Sequence, residues 1–164
     1  MGILRATGIF LWVAAVSVFL VGPGAGVAGE LGGLAGWEKG SEYNRYYDAS
    51  EFDEFKGVVE EVMEVVPLPG MAPGVGLVVR DQDGDRVEVQ LGPKSFVKLD
   101  GIGLRKGDKV KVKGVWAQFD GKDAFMASKV KKGENVELKV RRTKDGAPFW
   151  NMTPDEIAAE TGAP

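Results

Sequence analysis

From Phe55 onward the chain alternates apolar and polar residues with a period of two, the pattern of strands that bury one face. "FKGVVEEVMEVV" (Phe55–Val66) is rich in Val, with a Gly near its start. In "GLVVRDQDGDRVEVQLG" (Gly76–Gly92), Val87, Val89 and Leu91 alternate with Arg86, Glu88 and Gln90, and Asp83-Gly84 supplies a hairpin turn. "KGDKVKVKGVWAQFDGKDAFMASKV" (Lys106–Val130) reads as a second hairpin, turning at Asp120-Gly121. There Val110 and Val112 alternate with Lys109, Lys111 and Lys113. Gly114 then shifts the phase, so that Val115, Ala117 and Phe119 continue the apolar face and Trp116 points outward. A one-residue shift at a Gly is the mark of a β-bulge, which lets a strand bend around a small barrel. "NVELKV" (Asn135–Val140) offers a last short strand, and "GPKSFVKLDGIGL" (Gly92–Leu104) has the length of a short helix or irregular connector.

Five strands, the first long, with a connector after the third and a Gly in the fourth, describe an all-β fold. The expected architecture is a five-stranded, OB-fold-like Greek-key barrel over residues 53–143. Residues 144–164 form a C-terminal extension in which Phe149 and Trp150 return to pack against the barrel. Thr153, Pro154 and Glu156 then fall at N-cap, N1 and N3 of a short helix, a capping-box start. Residues 29–52 read as a flexible linker, whose Trp37, Tyr43, Tyr46 and Tyr47 either pack on the domain edge or form an exposed adhesive segment.

The first 28 residues have the layout of a signal peptide. Arg5 is the only charge before Glu30, an apolar run extends from Ile9 to Val21, and Gly22, Pro23 and Gly24 break it. Gly26-Val27-Ala28 then gives a small-x-small cleavage pattern. The run falls short of the roughly 20 residues that span a bilayer. The expectation is export, into a periplasm, with no transmembrane segment after cleavage; the alternative is that the segment stays as an N-terminal anchor. "GAGVAG" (Gly24–Gly29) matches a dinucleotide fingerprint, but no strand precedes it and no helix follows it.

The formal net charge is −3, but its distribution is uneven. Residues 30–93 carry 5 basic and 14 acidic side chains, and residues 94–144 carry 15 and 6. Such asymmetry invites a charged partner, or compensates internally where the halves meet. The chain has no Cys and no His. That removes thiol and imidazole nucleophiles and the usual zinc, copper and haem ligands, so no cofactor, no metal and no enzymatic activity is expected. Asp81, Asp83 and Asp85 have the spacing of an EF-hand loop start, yet the Gly falls too early and position 12 is Gly92, which favours a hairpin turn, with a weak adventitious Ca²⁺ site as the alternative. Lys94-Ser95 and Ser128-Lys129 put a hydroxyl beside an amine, but neighbours on a strand point to opposite faces.

The order "GVVEEV…PGMAPGVGLVV…VEVQLGP…LRKGDKVKVKG…FDGKDAFMASKVKKGE…DGAPFW" resembles small exported bacterial OB-fold proteins, over about Tyr47 to Trp150. The resemblance implies fold and export, a nucleic-acid-binding-like barrel, and no catalytic residues. OB barrels bind ligands on strands 2 and 3, framed by the loops joining strands 1–2 and 4–5. Pro67 to Gly76 is the first of these loops, stiffened by Pro67, Pro69 and Pro73: either a lip that grips through Leu68 and Met71, or a rigid cover for the barrel mouth. Phe119 belongs to the second. The leading expectation is a non-enzymatic binding module for a protein or other envelope component, using Leu68, Met71, Trp116 and Phe119. The alternative is an oligonucleotide- or polyanion-binding domain using Lys109, Lys111 and Lys113 on the fourth strand. Strands 2 and 3 lack the aromatic rings on which bases stack.

Overall fold

The computed structural model describes residues 33–162; the expected signal peptide lies outside them. The fold is mostly β. Its six strands are β1 (Phe52–Val65), β2 (Gly74–Asp81), β3 (Arg86–Pro93), β4 (Lys109–Phe119), β5 (Lys122–Lys132) and β6 (Val136–Lys139). They form one sheet in the order β3-β2-β1-β4-β5-β6, antiparallel throughout except where β3 meets β5 in parallel and closes a ring. β6 is the sixth strand, paired only to the outer edge of β5.

Both D-G turns form as the pattern predicts. Asp120 and Gly121 have φ of 50° and 77°, the positive pair that a two-residue hairpin with the right twist requires. At the other turn, Asp81 Oδ1 accepts the backbone N–H groups of Asp83 (2.9 Å) and Asp85 (2.8 Å), so this carboxylate closes the loop. The β4–β5 ladder does shift register between Lys113 and Gly114, but the extra residue is Ser128 on β5 rather than one on β4, which pairs with β1 through Gly114 without a break. A Cβ at Gly114 would run into the Met126 carbonyl, which explains the Gly. A second bulge, in β1 between Val59 and Glu61, lets the 14-residue strand pair with both β2 and β4.

Inside the ring sit Val59, Leu77, Val79, Val87, Val89, Val112 and Phe125, all buried. A second apolar layer covers the outer side of β3 and β5. The described part of the expected flexible linker, residues 33–51, instead folds onto this face, with a short helix α1 (Glu42–Arg45) and buried Trp37 and Tyr43. Its aromatics thus take the packed alternative rather than the adhesive one. Tyr43 stacks on Phe119 at 5.6 Å and donates to Gln90 Oε1 at 3.0 Å. From the other end Phe149 and Trp150 return as expected, and the Trp150 indole donates to the Trp37 carbonyl at 2.8 Å. The closing helix α2 (Pro154–Thr161) starts with the capping box at Thr153 and Glu156. Arg142 ties it down by reaching Asp145 and Glu160 together, which holds the Asp145 carboxyl at about 2.

Candidate functional site

The structure separates the candidate residues into those built into the fold and those left on its surface. Met71 is buried over Gly36, where a Cβ would strike its side chain, and Leu68 packs against the core. The loop that carries them is fastened by Ala72 N–H donating to the Ala35 carbonyl (2.7 Å) and by the Trp37 indole donating to the Ala72 carbonyl (2.8 Å). It is the cover of the two alternatives, and Met71 is not presented to solvent. Phe119 is likewise buried, beneath Tyr43 and Tyr46.

Trp116 is 43% exposed, yet on the opposite side from the one the phase argument predicts: it directly opposes Phe125 on the ring's inner side, while Val115 and Phe119 turn to the outer side. It is also more restrained than a free anchor. Its indole donates to Asp53 Oδ2 at 3.0 Å, and its ring stands 5.1 Å from Phe125 and 6.3 Å from Phe55. Unbroken alternation along β4 from Val112 puts Trp116 opposite Phe125, and the extra Ser128 on β5 brings Met126 opposite Val115 under the N-terminal cover.

The buried cover has its own cation. Arg141 is 2% exposed, and no carboxylate pairs with it among the described residues. Its guanidinium lies 4.8 Å from the Trp150 ring centre, 5.0 Å from Tyr47 and 5.7 Å from Tyr43. It donates to the Gly146 carbonyl at 3.0 Å and to Asn44 Oδ1 at 2.9 Å. Ring faces and carbonyl dipoles replace the missing anion. Burial lowers the Arg141 pKa from its ordinary value and pushes the Tyr43 phenol up to about 12. The Tyr47 hydroxyl is buried there without a hydrogen-bond partner. All of this joins residues 33–51 and the C-terminal segment 140–151 to the ring.

The opposite outer face is bare and basic. Directly opposed residues of an antiparallel ladder stand on the same face, about 4.5–5.5 Å apart between Cα atoms. Register therefore places Lys56, Lys111, Lys131 and Glu137 in one row across β1, β4, β5 and β6. The next row is Glu54, Lys113, Lys129 and Lys139, and Val58 opposes Lys109 beyond the first. Seven lysines thus share this face with two carboxylates.

Glu54 holds Lys111 at 2.5 Å and Lys113 at 3.0 Å, and those bonds lower its pKa. Glu137 reaches Lys129 at 3.3 Å and Lys139 at 3.5 Å. Burial raises the pKa of Glu137, but its two lysines lower it further, and the net shift is downward. Lys56, Lys109 and Lys131 form no ion pair among the described residues. These three line an open cleft of about 430 Å³ together with Val58, Arg80 and one carboxylate, Asp81.

Sequence reasoning put Lys109, Lys111 and Lys113 on one face and had Lys129, Lys131, Lys132, Arg141 and Arg142 only as near in sequence; it missed Lys56 and Lys139, and Arg141 proves to be buried under the cover. The alternating "SKVKK" (Ser128–Lys132) carried the signal for Lys129 and Lys131. The two Lys–Ser pairs do not meet: Ser128 donates to the Lys113 carbonyl and Ser95 to the Gly33 carbonyl, while Lys129 and Lys94 pair with Glu137 and Glu64. No helix among the described residues is long and apolar enough to cross a membrane.

Residues 51–137, more than half of the chain, match the model of a family described as the MamS/MamX magnetosome protein family. The match runs from just before β1 into β6, so it contains the ring and both lysine rows except Lys139. No curated protein matches the chain.

Proposed function

The chain belongs to the MamS/MamX magnetosome protein family, and on that premise we propose that it is an exported, non-enzymatic binding module of OB-fold type. It engages an anionic envelope component through its lysine face. The ring order β1-β2-β3-β5-β4, the long bulged first strand and the connector between β3 and β4 support the OB reading. The apolar run ahead of the fold supports export, and the family's name supports association with a magnetosome. The lack of Cys and His supports a role without catalysis.

One observation carries the proposal: three lysines directly opposed on adjacent strands. Like charges in that position weaken a sheet. An anionic partner turns the arrangement from a liability into complementarity, with faster encounter and a fixed orientation. The leading contact surface therefore moves from the loop after β1, which is a cover, to the face of β1, β4, β5 and β6.

The test is co-purification of the tagged full chain after mild cross-linking in its native envelope, with nuclease present. Recovery of the envelope component should persist in Leu68→Ser and disappear in the triple variant Lys56→Gln, Lys111→Gln, Lys131→Gln. Loss in Leu68→Ser with full recovery in the triple variant would return the contact to the loop.

A further inference from the structure

Resting on the lysine-face reading, we propose that the anionic component is the surface of a phospholipid bilayer, with β1, β4 and β5 lying against its headgroups. Four features favour a lipid surface over a soluble polyanion.

The cationic surface is the side of a sheet, and the cleft it contains is open to solvent. A broad surface of this kind meets a broad array of charges better than a single bound group. The cations of its two long rows are all lysines, compact point charges that attract diffuse negative potential; the row through Val58 and Lys109 continues to Arg80 and Arg86, but Glu60 engages both of those forks.

The face also carries exposed apolar side chains. Along β1, Phe55 and Val59 turn inward, so Phe52, Glu54, Lys56 and Val58 share the outer side. Phe52 is 39% and Val58 38% exposed, at the two ends of this column. Apolar groups between cations suit the boundary of headgroups and acyl chains. By contrast, a strand of nucleic acid needs successive rings on which bases stack, and Phe52 is the sole ring on these rows.

Finally, the apolar run Ile9–Val21 lies only residues 22–32 ahead of the described fold. A chain that keeps that run in a bilayer keeps the ring beside the same bilayer. Weak single contacts then act at high effective concentration.

The experiment is co-sedimentation of the full chain with vesicles of phosphatidylcholine alone and of phosphatidylcholine mixed with phosphatidylglycerol, at low and high salt. A single-stranded oligonucleotide serves as a soluble anionic probe in parallel. The apolar run adds equally to both vesicle types, so the readout is the ratio between them. Wild type should prefer the anionic vesicles, and high salt should erase the preference. The Lys56→Gln, Lys111→Gln, Lys131→Gln variant should lose about a hundredfold of that preference. A control with Lys39→Gln, Lys106→Gln and Lys144→Gln removes equal charge elsewhere and should keep it. The triple variant relieves repulsion between opposed lysines but gives up the Lys111–Glu54 pair, so a melting temperature close to that of wild type certifies its fold.

Equal binding to both vesicle types, with oligonucleotide binding that the triple variant abolishes, would overturn the lipid assignment and leave the lysine face standing as a polyanion site. Equal binding to both vesicle types and no lysine-dependent oligonucleotide binding would overturn both.

Discussion

The ring has two outer faces that treat positive charge in opposite ways. Over β3 and β5, one guanidinium is enclosed by three aromatic rings and two carbonyl-type acceptors. Over β1, β4, β5 and β6, seven lysines face solvent with two glutamates between them. The first face is covered by residues 33–51 and by the segment that carries Phe149 and Trp150, and clearances cut into the strands admit the cover. A Cβ at Gly74 would collide with the Trp37 ring, and one at Gly92 would come within 2.7 Å of Trp150. The second face has no such clearances and no covering segment among the described residues. A closed face spends its polar groups internally, whereas an open one keeps them for contact.

That comparison can be broken from the covered side first. Trp37→Ala removes a fully buried ring that touches Tyr43 and Trp150. It should cost about 4 kcal/mol of unfolding free energy in a denaturant titration, because a large cavity opens under the cover. Arg141→Met leaves Asn44 Oδ1 and the Gly146 carbonyl without their donor and loses three cation–π contacts. The expected loss is about 3 kcal/mol, partly offset by relief of the buried charge. Arg141→Lys should recover only a fraction of it, since an ammonium lacks the planar fork.

Alkali provides a gentler probe of the same layer. Tyr43 is raised from 10.0 to about 12 by burial, so between those values the unfolded chain releases a proton that the folded chain retains. Its stabilising contribution is complete below pH 10 and is lost as pH rises towards 12, by about 2 kcal/mol. Melting temperatures over that range, with phenolate absorbance as the titration readout, check the sign. Stability rising above pH 10 would contradict the buried position of Tyr43.

The smallest effect belongs to the open face. Lys56→Gln removes one member of a directly opposed pair and should stabilise the fold by about 0.2–0.5 kcal/mol. The same loss of charge stabilises the fold and weakens binding, whereas changes in the cover destabilise the fold.

What could be read from the residues alone follows the range of the interactions. The hairpins and the Thr153 cap arise from neighbours in sequence and are present, whereas the irregularity read at Gly114 lies across the ladder at Ser128, because pairing decides which strand carries the extra residue. The packing of residues 33–51 was ambiguous, because Trp37 and Tyr43 sit among charges and their partners are Gly74, Gln90 and Trp150. Met71 in a Pro-rich loop suits a lip and a cover equally, and Gly36, 35 positions away, makes it a cover. The lysine face was half legible: alternation shows the column on β4, but only strand register reveals that Lys56 and Lys131 extend it into a row.

The most direct test of that face is lysine-reactive footprinting of the full chain, read by mass spectrometry, with and without its native envelope membranes. Lys56, Lys109, Lys111 and Lys131 should lose reactivity together when the membranes are present, while Lys39 and Lys144 keep theirs. Protection confined to Lys94 and Lys98, or none on the β1–β4–β5 face, would contradict the account.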